Sequence, residues 1–106
     1  VREQLRQALR QQATVHVPVV VLAETLRGGP RDAPVNRVLK ATGSVPTDPD
    51  TGRMAGVLLG RTGGHNVADA LVAAECAAVP GSVLLTSDPD DLGALLVDEP
   101  VTVVRV

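Results

Sequence analysis

Four acidic residues, Glu24, Asp69, Asp88 and Asp91, each stand at the edge of an otherwise apolar segment. Carboxylates are hard oxygen donors of the kind that hold Mg²⁺ or Mn²⁺ in preference to zinc. Glu24 interrupts Val19-Val20-Val21-Leu22-Ala23 and is followed by Thr25-Leu26, so its carboxylate is expected to be carried into a buried segment. A buried carboxylate without a partner is costly, and a metal ion is one of the few partners that offset that cost. The chemistry that would unite such acids is metal-assisted phosphodiester hydrolysis, in which a bound ion activates water and stabilises developing negative charge. No side-chain nucleophile is then needed. This agrees with a chain that has no GxxxxGK[ST] loop, no CxxC pair and no plausible Ser/His/Asp set.

Each acid also has an ordinary structural role open to it. Asp88, followed by Pro89, Asp90 and Asp91, is a natural helix N-cap with proline at the first helical position and acids in the first turn. It also follows the apolar run Leu84-Leu85, where the carboxyl end of a strand in an open α/β sheet would place a ligand group. Asn66 with Asp69 three residues later approximates a capping box. Glu24 lies three residues before Arg27 and can form an intrahelical ion pair. His16 and His65 do not share metal-ligand spacing; His65, in a glycine-rich loop near Asp69, is a candidate for touching substrate. Arg27, Arg31, Arg37 and Lys40 can hold phosphates or coat helices.

The 106 residues suit a single domain, read as spanning 1–106, with one core. That core is built from Val, Leu and Ala, because hydrophobic residues make up 44% of the chain and Phe, Tyr and Trp are absent. Stacking of bases on those rings, the usual device of sequence-tolerant single-strand binders, is excluded. The net charge of −2 is divided unevenly: residues 1–61 carry nine of the ten basic residues against five acids, and residues 62–106 carry Arg105 against seven acids. A basic half beside an acidic half suits phosphate binding next to a cation site. The lone Cys76, among alanines, reads as a packing residue. No apolar run approaches the roughly 18 residues that span a bilayer, and no leader pattern is present, so a cytoplasmic protein without membrane contact is expected.

The elements that would position these acids alternate between helix and strand. Residues 1–12 predict an amphipathic helix, with Leu5 and Leu9 on one stripe and Arg2, Arg6 and Arg10 on another. A strand follows over Val15–Val17, then a helix over Val19–Leu26, a helix from Pro34 through Lys40 and a brief strand at Ser44–Val45. Further helices are predicted over 49–59, 67–79 and from Asp88 through Leu96, with a strand at 83–85 buried on both faces and a terminal strand over 101–106. The alternation predicts an α/β fold with a parallel sheet.

Three segments, VPVVVLAETLRG (17–28), NVADALVAAECA (66–77) and LLTSDPDDLGAL (84–95), in this order and spacing, resemble the PIN-domain family, most closely the VapC-type toxin ribonucleases. The resemblance runs over essentially the whole chain. It implies a three-layer α/β sandwich with a central parallel sheet and an endoribonuclease that cuts RNA with one or two Mg²⁺ or Mn²⁺ ions. It further implies the toxin half of a type II toxin–antitoxin pair, a homodimer held inactive by a small antitoxin protein. Glu24, Asp69 and Asp88 would be the catalytic acids and, with Asp91 as an accessory, the metal ligands. Thr86 and Ser87 would orient water or phosphate; Arg27, from the basic cluster rather than the resemblance, is a further candidate substrate contact. The family's first acid lies on an N-terminal strand, whereas Val1 opens in the helix that should follow it. The resemblance therefore implies that this strand and its acid are missing from the chain or supplied by another. Asn66 stands where relatives often carry another acid.

Two other readings are compatible with parts of the pattern. A catalytically inactive PIN-like scaffold that binds RNA or a partner protein would follow from true loss of the first acid. A phosphoacceptor receiver-like domain shares the α/β pattern and acidic pocket but needs a lysine late in the chain, and Lys40 is the sole lysine.

Overall fold

The structure, a computed structural model, describes residues 15–106 together with Glu3, Arg6 and Gln7. These three are exposed and helical; the remainder of the amphipathic helix expected over 1–12, including Leu5, Leu9, Arg2 and Arg10, lies outside the described residues. The chain divides into two compact units, Val1–Pro46 and Thr47–Val106.

In the first unit, β1 (Val17–Pro18) leads directly into α1 (Val19–Thr25). Pro18 has φ −60° and ψ 144°, so its ring-fixed φ is compatible with the strand while the extended ψ holds it outside the helix as N-cap. His16 is exposed between half-buried Val15 and Val17, as their alternation predicts. Beyond α1, the Asp32 carboxylate ties the glycine turn, accepting from the backbone N–H of Gly28 at 2.7 Å and of Arg27 at 3.0 Å. A 3₁₀ turn (Pro30–Asp32) then enters α2 (Ala33–Thr42), which Gly43 ends. β2 (Ser44–Val45) returns parallel to β1, pairing Val17 with Ser44 and Pro18 with Val45.

The second unit contains α3 (Pro49–Thr62), α4 (Val67–Ala77), β3 (Val83–Thr86), α5 (Pro89–Leu95) and β4 (Thr102–Arg105). Asp48 caps α3 by accepting from the Thr51 N–H at 2.8 Å, and this hydrogen bond lowers the Asp48 pKa. Thr51, Ala55 and Leu58, at i, i+4 and i+7, form the buried face of α3, which packs against α4. Ala70 and Ala73 of α4 are completely buried. Their small side chains let the helices come close, so a core without aromatic rings is still filled. Leu92, Leu95 and Leu96 complete it.

β3 and β4 run parallel in the register Val83–Thr102 to Thr86–Arg105, extended by hydrogen bonds from Thr102 N to Ser82 O and from Val106 N to Thr86 O. The fold is thus α/β with parallel pairing, its described strands forming two sheets of two strands each. The expectation that β3 is buried on both faces is corrected: Val83 is 59% exposed and Leu84 and Leu85 are half-buried. A two-stranded sheet offers fewer neighbours to cover its faces than the interior of a wide one. Among the described residues, no helix is long and apolar enough to cross a membrane.

Candidate metal centre

The site grows from the carboxyl end of β3. Past Thr86 the chain turns through Ser87, and the turn is fixed by the Asp88 N–H donating to Thr86 Oγ1 at 3.0 Å. Thr86 therefore shapes the loop through its hydroxyl. Arg105, which pairs with Thr86 across the sheet, donates from Nη1 to the Ser87 carbonyl at 3.4 Å. Asp88 then occupies the N-cap position of α5, but its side chain makes no capping hydrogen bond. The structural role that the sequence offered this carboxylate is not the one it fills. Asp91 follows within the first turn of α5.

The third acid arrives from a different element. Asn66 caps α4 by accepting from the Asp69 N–H at 3.0 Å, which fixes the first turn of that helix and with it the position of Asp69. One carboxylate oxygen each from Asp69, Asp88 and Asp91 lies within 4.8 Å of the others, with Asp69 half-buried and the two remaining acids exposed. Three carboxylate oxygens this close could hold one metal ion between them. The Asp91 pKa is raised, first by the negative charge of Asp88 and then by a hydrogen bond with it. Such like-charge crowding disfavours full ionisation unless a cation is present. Of the second unit's arginines, Arg53 pairs with Asp50 at 3.0 Å and Arg61 with Glu99 at 3.1 Å, whereas Arg105 donates to the carbonyl of Ser87, the residue before Asp88. The chemistry and spacing of the donors thus fit a hard divalent cation.

Glu24 differs from its expectation. It is exposed on α1, in the first unit, so the burial argued from its valine neighbours does not hold. On a seven-residue helix with no fully buried residue, the apolar side chains need not draw every position inward. Arg27 is spent on the end of the same helix, its guanidinium donating at 2.9 Å to the backbone carbonyls of Ala23, Glu24 and Leu26. The structure therefore brings together Asp69, Asp88 and Asp91, with Thr86 and Ser87 in the adjoining turn, whereas Glu24 and Arg27 belong to the other unit.

An open cleft of about 250 Å³ adjoins the acids, with Asp69 and Asp91 in its wall. His65 and Asn66 also line it, and Leu59, Ala94 and Leu95 supply apolar surface. Sequence reasoning placed His65 near Asp69 but missed Leu59 and Ala94, because no local pattern signals a wall shared by α3 and α5. It also missed Arg105, whose position follows from strand register. Cys76 is pushed up to about 11 by burial and by the charge of Glu75, so its thiol stays protonated at neutral pH, as a packing role requires. No family model, curated protein or solved structure matches the chain.

Proposed function

We propose that this protein is a Mg²⁺- or Mn²⁺-dependent endoribonuclease with a PIN-like three-layer fold, acting as the toxin of a type II toxin–antitoxin pair. The observation that carries the metal chemistry is the convergence of Asp69, Asp88 and Asp91 beside the carboxyl end of a parallel strand. The choice of RNA, the antitoxin partner and a homodimer rest on the resemblance of the three sequence segments. In this reading the three aspartates hold the ion. When bound, the ion supplies Lewis-acid stabilisation of phosphate charge and an acidified water.

The residues of the chain contribute orientation. Thr86 holds the Asp88 turn, Asn66 holds the first turn of α4, and the Arg105 guanidinium stands at the Ser87 carbonyl as a cation beside the acids. A phosphodiester approaching an acidic cluster needs such positive charge, and a planar guanidinium suits phosphate oxygens.

The test is cleavage of single-stranded RNA by the protein in Mg²⁺ or Mn²⁺, against EDTA and Asp88→Asn. Metal-dependent cutting that disappears in the variant is expected. Equal cutting by both proteins would mean that the activity belongs to something else. Binding of RNA without cutting of any substrate in a panel would favour the inactive scaffold.

A further inference from the structure

We propose that the cleft beside the aspartates is a nucleobase subsite, which receives a base flanking the scissile phosphate of single-stranded RNA. The assignment of the flanking phosphate rests on the nuclease reading; the binding of a base does not. Three properties of the cleft point to this occupant. Its volume of about 250 Å³ lies below the ~300 Å³ at which sites for drug-sized ligands begin, so its occupant is a smaller group, a class that includes a single base. Its wall carries the Asp91 carboxylate, beside that of Asp88, a setting that disfavours a free phosphate and tolerates a neutral ring. The remaining surface combines the hydrocarbon of Leu59, Ala94 and Leu95 with the imidazole of His65, a planar group that can stack on a base in a chain without Phe, Tyr or Trp.

Asn66 supplies the polar edge. Its Oδ1 accepts from Asp69 N, which leaves the amide NH₂ as donor to a base carbonyl or ring nitrogen. Thr62, also on the wall, already donates to the Leu58 carbonyl and accepts from Gly64 N, so it shapes the cleft without reading the base. A base reaches such a recess only when unstacked, which selects single strands or loops over duplex.

The test uses isotopically labelled protein in EDTA, titrated with the four ribonucleosides and with ribose, while the Asn66 side-chain amide and the Ala94 methyl are followed by NMR. Nucleosides, and not ribose, are expected to shift both signals. Ala94→Leu, which fills the cleft from an exposed helical position, and His65→Ala, in an exposed loop, should each weaken binding by about 5-fold or more. Asp88→Asn, outside the cleft lining, should remove metal-dependent cleavage while nucleosides still shift both signals. Nucleoside binding that persists when no RNA is cut would retain the subsite and reject the nuclease. The subsite is overturned if ribose shifts the signals equally, if no nucleoside shifts them, or if both cleft variants bind as the parent does.

Discussion

Asp88 and Asp91 stand close enough that the charge of one raises the pKa of the other, and this cost is carried by the metal-free protein. Replacing Asp88 by Asn removes the repelling charge. Thermal unfolding in EDTA should therefore give Asp88→Asn a Tm equal to or above the parent's. In Mg²⁺ or Mn²⁺ the order should reverse, because only the parent gains stability from the ion, and the variant's metal affinity should fall by more than about 100-fold. The pH dependence follows from the direction of the Asp91 shift. A folded-state pKa above the unfolded value means that the native protein binds this proton more tightly, so the Asp91 contribution favours folding at low pH. That contribution is lost as pH rises through the raised folded pKa. Metal binding requires the ionised form and releases the proton, so divalent affinity measured by calorimetry should increase as pH rises through the same window.

Helix ends carry most of the positional information in the second unit. Asn66 begins α4 and Gly63 ends α3, and together they bound the loop that bears His65. Gly63 has φ 68°, a left-handed conformation that costs a residue with a Cβ about 1 kcal/mol, so Gly63→Ala should lower stability by roughly that amount in urea unfolding. Asn66→Ala should also cost about 1 kcal/mol, and it should weaken metal binding by releasing the turn that holds Asp69. These boundaries were legible in the sequence because capping is local: the strand at Ser44–Val45, the caps at Asn66 and the glycines, and the start of α3 at Pro49 all follow from neighbouring residues. Asp88 shows the limit of that logic. It has the residue type and position of an N-cap, yet its side chain makes no capping hydrogen bond.

At the scale of the molecule, packing is done by small aliphatic side chains, and Leu58 is the largest fully buried one among the described residues. With no aromatic ring to refill the space, Leu58→Ala should cost about 2–5 kcal/mol, measured as a lower urea midpoint with an unchanged m value. This is a large share of the roughly 5–15 kcal/mol that stabilises an ordinary domain. The sequence by itself determined the α/β alternation, the parallel pairing and the placing of Asp69, Asp88 and Asp91 at the starts of helices, since periodicity, turn chemistry and caps act over a few residues. Only the tertiary structure decided that Asp69 meets Asp88 and Asp91, that Leu59 and Ala94 line one cleft with His65, and that Glu24 is exposed. Those outcomes depend on how α3, α4 and α5 pack and on what covers α1, and such contacts join residues far apart in the chain.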